Sequence, residues 1–292
     1  MKKTIFALAV AAGVAFGGAR LFAGGPAFWA KTAHAAKPDA KLPSVFLEDL
    51  TWVEVQQALD RGMTTAILPT GGTEQNGPHM VLGKHNKIVR VTSEKIAQEL
   101  GDALVAPVLG YVPEGKPGEG HMRFPGTISI PPEVFEQVLE HAARSLISKG
   151  FREIYFLGDS FDNQEPQERV AQKLRKEFAA QGTKIYNVSD YYGPGNGQIE
   201  WLKSQGETME SIGKHAGIRD TSELLAVDPS GVRRDLAKRD GGGLSFLTGV
   251  AGDPTRASEE RGEKLLDLKI QAALKQIRDL RSRTPQTSAS PS

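Results

Sequence analysis

TTAILPTGGTEQNGPHMVLGKHN, residues 64–86, is the stretch whose reading decides the fold. Its first six residues form an apolar run of strand length, closed by Pro69. A Gly-rich loop follows, carrying Glu74, Asn76, His79 and His85, before a helical pattern begins at Asn86. Working outward, the same kind of run recurs at 103–108 (ALVAPV), 153–157 (EIYFL) and 184–188 (KIYNV), each bounded by Gly, Pro or Asp. Helical periodicity fills 50–61, 86–100, 131–149 and 164–181, and a last long helix fits 257–280, with Glu259 and Glu260 early and basic residues late. Strands that are apolar throughout and alternate with helices are βαβ units. The pattern therefore predicts an α/β fold with a mostly parallel sheet covered on both faces, and ligand sites at the carboxyl ends of its strands.

Composition bounds the chemistry. The 292 residues contain no Cys, so disulfides, Cys-ligated metals and a thiol nucleophile are excluded, and any metal must be held by His, Asp, Glu or Asn. Residues 1–35 read as a signal peptide: Lys2 and Lys3, then 13 apolar residues at 4–16, then Ala33-His34-Ala35 as an A-x-A cleavage site. Thirteen residues span about 20 Å as a helix, short of the roughly 30 Å hydrocarbon core, which predicts an exported, periplasmic or secreted protein with no lasting membrane insertion. Retention as an N-terminal anchor is the alternative. Removing Lys2, Lys3, Arg20 and Lys31 leaves 32 basic against 35 acidic side chains, a balance that argues against nucleic acid as a partner. Residues 36–283 read as one domain and 284–292 (TPQTSASPS) as a disordered tail. The Gly241-Gly242-Gly243 run has no dinucleotide-binding context.

Polar residues follow the strand ends: Glu74 to His85 after the first, and Asp159, Ser160, Asp162 and Asn163 after the third. Carboxylates and imidazoles there are placed for a metal or substrate site, or, for Asp159, Ser160 and Asp162, for capping the helix that begins near Asn163. The charged loop 114–120 (EGKPGEG) beside His121 reads as a pocket lid or a plain surface loop. His79 is expected to bond within its own turn and His141 to face solvent. Tyr191, Tyr192 and Trp201 are placed to stack on a planar ring or to pack against a neighbouring subunit.

Residues 68–86 resemble the signature of the creatininase (creatinine amidohydrolase) family, L-P-x-G-S-x-E-Q-H-G-x-H-L-P-L-x-T-D. Further blocks agree in order: His121 to Ser129 (HMRFPGTIS), His215 to Ser222 (HAGIRDTS) and Gly249 to Thr255 (GVAGDPT). The resemblance implies a three-layer α/β/α fold, a homo-oligomer, often a hexamer, and one or two divalent metals, zinc or manganese. It also implies hydrolysis of C–N bonds in a small cyclic amide, lactam or formamide by metal-activated water.

Carried over residue by residue, the resemblance keeps the Glu ligand as Glu74. It places Asn76 where the family has His, His85 where it has a bridging Asp, Ser160 for a ligating His and Asp162 for a Glu, with Asp159 replacing a Gly. An imidazole does not bridge two cations as a carboxylate does, so a single metal, zinc before manganese, on Glu74, His85 and Asp162 (or Asp159) is the expected centre. His215 matches the pocket His and is expected to shuttle a proton or orient the carbonyl, with Asp159 as second catalytic group. His121, Asp220, Asn76 and Ser160 are expected to contact substrate. The alternative is an inactive member of the family that binds a small molecule or protein partner.

Overall fold

The computed structural model describes residues 42–238 and 247–282. The expected signal peptide, the tail from Thr284 and the Gly241-Gly242-Gly243 run lie outside them. Four parallel strands, β1 (Thr65–Thr70), β2 (Ala103–Val105), β3 (Glu153–Gly158) and β4 (Lys184–Asn187), form one sheet in the order β2-β1-β3-β4. β1 and β3 pair over six residues, from Thr65 opposite Glu153 to Thr70 opposite Gly158.

Alternation along the strands sorts the core into two layers. Ile67, Val105, Tyr155 and Leu157 face α2 (Lys84–Leu100) and α8 (Glu259–Ser282), packing on Val89, Ile96, Ile270 and Leu274. Ala66, Leu104, Ile154 and Phe156 face α1 (Trp52–Asp60), α3 (Pro132–Ser148) and α4 (Gln164–Glu177), packing on Ala58, Phe135, Leu139 and Leu174. Three layers result, as expected of an apolar sheet with both faces covered. Phe156 is wholly buried, and truncating it to Ala costs about 3–5 kcal/mol. β2 stops at Val105, short of the six residues its apolar run suggested, because Pro107 cannot donate to a ladder.

Local chemistry sets the helix ends. Thr51 and Glu54 form a reciprocal capping box on α1, and α2 closes on Gly101 in the left-handed region. α5 (Gln198–Ser204), α6 (Met209–Ile212) and α7 (Ile218–Val227) complete the chain before α8. α8 lies close against α7 at Gly262, where a Cβ would stand 1.9 Å from the Ser222 carbonyl oxygen. Among the described residues no helix is long and apolar enough to cross a membrane.

Candidate functional site

The chain runs from β1 outward to β2 and from β3 outward to β4, so the strand order reverses between β1 and β3. A crevice opens at such a point, beyond the strand carboxyl ends. The loops leaving β1 and β3 meet there around a cavity of about 360 Å³, lined by Glu74, Lys84, His85, Glu114, His121 and His215, with Ser160, Asp162, Tyr192, Lys214 and Asp220 around them. Phe161, 76% exposed, stands at its mouth.

Glu74 is the hub. It is buried, and its Oε1 lies 2.8 Å from His85 Nε2 and 3.6 Å from Lys84 Nζ. Its Oε2 lies 3.4 Å from His121 Nδ1. His215 Nδ1 is 3.8 Å from Oε1, while its Nε2 sits 2.9 Å from the Gln75 carbonyl. The Gln75 side-chain amide nitrogen, a donor, lies 3.1 Å from the same Nε2, so Gln75 holds that nitrogen from both its backbone and its side chain, and Nδ1 is the ring nitrogen left facing Glu74. Ala216, the next residue, has φ of 52°, a strained conformation for a residue with a Cβ. The strain is held in place by Asp220, whose Oδ2 accepts from Ala216 N–H at 2.7 Å. Asp220 thus reaches back from the first turn of α7, which begins at Ile218.

Burial alone would raise the Glu74 carboxyl, but the His85 hydrogen bond and the surrounding positive charge outweigh it and hold it well below the usual range. Burial keeps His215 neutral at pH 7, with its pKa lowered to about 4. Glu114 behaves oppositely. Burial and the adjacent Glu74 carboxylate push it up to about 10, so it stands in the cavity as a carboxylic acid, with Oε1 lacking a hydrogen-bond partner. It reaches there by bending over Gly72, where a Cβ would clash with Oε1 at 2.1 Å. Glu114 was expected only as the first residue of a lid loop. The Gly71-Gly72 pair, which leaves room for a side chain to cross, was the signal for it.

Among the described residues, one group of His and carboxylate ligand atoms converges within 4.8 Å, that of Glu74, His121 and His215. One carboxylate and two imidazoles suit a single divalent ion with an open position. The expected set of Glu74, His85 and Asp162 is not the one that converges. His85 has Nε2 on Glu74 and Nδ1 on Asp159 at 2.9 Å, which leaves no nitrogen for a metal, and Asp162 sits exposed on the rim. Asp159, expected as a catalytic group, is buried behind His85 and does not line the cavity. Asn76 is also absent from the cavity lining. Its Nδ2 donates to the Glu74 and Val81 carbonyls, stapling the loop. Ser160 lies on the wall, and neither it nor Asp159 or Asp162 caps α4, which has no side-chain cap. His79 bonds across the molecule to Thr221 Oγ1 at 3.0 Å, not within its own turn, while His141 is exposed as expected.

Fold and site together describe an α/β scaffold with a carboxylate–imidazole pocket at its switch point. Residues 48–277 match the creatininase family, described as creatinine amidohydrolase, and the chain belongs to that family. It is 29% identical over 219 residues to the mycofactocin precursor peptide peptidase of Mycolicibacterium smegmatis, covering 68% of this chain and 78% of that one. It is 27% identical over 257 residues to the creatinine amidohydrolase of Pseudomonas putida, covering 81% and 97%. A solved creatininase described as its Mn form superposes with a TM-score of 0.69 at 25% identity, over 82% of this chain and all of the other, and another solved form is described as Zn-Zn type. The relatives are hydrolases of C–N bonds, an amidohydrolase and a peptidase.

Proposed function

We propose that this chain hydrolyses an amide C–N bond in a small cyclic amide, lactam or formamide, using one divalent cation, zinc before manganese, held by Glu74, His121 and His215. The convergence of those three ligand groups on the cavity carries the reading. When bound, the cation supplies activated water and polarises the carbonyl. The chain's own groups do the rest. Glu74 stays charged against His85 and Lys84, neutral His215 turns Nδ1 toward Glu74, and Glu114, whose carboxyl burial favours in its protonated form, would be the acid that gives a proton to the leaving nitrogen. Export with loss of residues 1–35, and assembly into a homo-oligomer, belong to the same proposal and are checked by N-terminal mass and light scattering.

The test is metal content of residues 36–292 purified without chelator. About one zinc or manganese per chain, lost in both Glu74→Ala and His215→Ala but kept in Asp162→Ala, is the expected result. Metal near zero after soaking would overturn it. That outcome favours a second reading, a binding protein without turnover, which the pairing of Glu74 with Lys84 and His85 already supports.

A further inference from the structure

Behind the cavity wall lies a second buried cluster that the proposed chemistry does not use. Lys269 of α8 is 2% exposed, and its ammonium sits 2.7 Å from Asp159 Oδ1 and 2.9 Å from Glu223 Oε2. Its remaining side faces the Tyr191 ring, 4.7 Å from the centroid. Each group holding the ammonium is itself held. Tyr191 donates its hydroxyl to Asp159 Oδ1 at 2.8 Å, and Gln198 Nε2 donates to Glu223 Oε1 at 2.6 Å and to the Leu265 carbonyl at 2.7 Å. Asp159 has one oxygen left, and it meets His85 Nδ1 at 2.9 Å, whose other nitrogen meets Glu74 at 2.8 Å. One line of contacts therefore runs from α8 to the hub of the cavity: Lys269, Asp159, His85, Glu74.

An ammonium this deep is costly unless fully paired, and a packed apolar group would stabilise the fold at least as well. What the lysine adds is direction. A carboxylate can turn about its last bond, and the ammonium fixes Asp159 so that its second oxygen points at His85, which then has one ring orientation that satisfies both nitrogens. We propose that Lys269 is a positioning residue, a tethered cation that aims Glu74 through Asp159 and His85, and that the cradle it fills is an ammonium-binding site in its own right. It goes beyond the metal reading, because it concerns the scaffold behind the cavity and needs no bound metal.

The experiment uses chelator-treated protein with ¹⁵N-labelled histidine, the His85 ring signals being assigned with His85→Gln. Wild type should show both His85 nitrogens hydrogen-bonded. Lys269→Met, which keeps the volume, and Lys269→Ala should both shift these signals, and Lys269→Ala should lower the thermal midpoint by about 6–12 °C. Methylammonium chloride should then raise the midpoint of Lys269→Ala by several degrees more than that of wild type, return the His85 signals toward their wild-type positions, and leave Lys269→Met unaffected. If Lys269→Ala does not fold, the Lys269→Met spectrum decides alone. Unmoved His85 signals in the folded variants would overturn the proposal, even with a lowered midpoint, since that pattern is packing without positioning. A methylammonium response no larger than that of wild type would overturn the cradle.

Discussion

Replacing Lys84 by Met removes a charge from the centre of the cavity wall while keeping the chain length. The ammonium is 1% exposed and sits 3.4 Å from Asp220 Oδ2 and 3.6 Å from Glu74 Oε1. At these separations, with an effective dielectric near 20, each pair is worth about 4–5 kcal/mol before desolvation. Removing one partner of a buried pair typically costs about 3–5 kcal/mol, because the carboxylate left behind has lost its water as well as its cation. Both carboxylates keep other partners, His85 for Glu74, and Arg219 and the Ala216 N–H for Asp220, which puts the expected loss near the lower figure, about 3 kcal/mol at pH 8.

The pH dependence gives the sharper test. In the wild type, burial would raise Asp220, but Lys84 and Arg219 outweigh it and hold the carboxyl far below its ordinary value. A depressed carboxyl contributes stability above its unfolded pKa and loses it as pH falls. Each 1.36 kcal/mol of attraction removed lifts it by about one unit, so in the variant Asp220 or Glu74 moves up toward or past the unfolded value. Past that value the sign reverses, and folding gains as pH falls. Urea denaturation of both proteins at pH 8 and pH 3.5, the latter below the unfolded carboxyl pKa where the wild-type contribution is being lost, is the assay, with equal m-values as the check on two-state unfolding. The deficit of Lys84→Met should shrink by about 1 kcal/mol or more at the lower pH. A deficit under about 1 kcal/mol at pH 8, or one that grows on acidification, would refute the reasoning.

Three further perturbations test separate parts of the structure. Glu114 sits at about 10 when folded, above its unfolded value, so it contributes stability at low pH that is lost as pH rises between the two. Glu114→Gln should therefore be more stable than wild type by about 1–3 kcal/mol at pH 8 and equal to it at pH 4 by urea denaturation, while amide hydrolysis drops about 100-fold. Gly262→Ala drives a methyl into the Ser222 carbonyl and should cost about 2 kcal/mol net of its better helix propensity, read as a lowered thermal midpoint. Thr51→Ala opens the capping box of α1 and should cost about 1 kcal/mol by urea denaturation, with the cavity unaffected.

The sheet was legible because β1 and β3 are apolar along nearly their whole length, and only a strand covered on both faces reads that way. Helices α5 and α6 were not read, since 7 and 4 residues are too few for a periodic signal. Of the site, Glu74, His121 and His215 were legible as residues that carry chemistry, but not as a group, because their convergence depends on how three loops fold over one another. Glu114 was read only as part of a loop, and Lys84, Glu223 and Lys269 went unread, since single charges in helical or loop patterns normally face water. Two of them had left a sign. Lys269 falls on the buried stripe of α8 that includes Leu265, Leu266, Ile270 and Ala273, and Lys84 stands in the first turn of α2, where the helix dipole disfavours a cation. A charge placed against its local preference is held there by a partner elsewhere in the chain.

The partners explain how so many acids share one interior. Glu74, Asp159, Asp220 and Glu223 are all buried, and each touches Lys84, Lys269 or His85. Burial and Lys84 lower the His85 pKa, but the two carboxylates raise it further, so the ring between them favours its charged form. A dication added at Asp159 would meet a carboxylate already occupied by Lys269, Tyr191 and His85, whereas one added beside Glu74, His121 and His215 would meet the neutral His215 ring and a Glu114 oxygen without a hydrogen-bond partner. His85, set between two carboxylates, and the buried Lys269 thus act as one unit. Together they satisfy the deep end of the acidic cluster with charges tethered to the chain, and leave its open end, at Glu74, free to take a cation from solution.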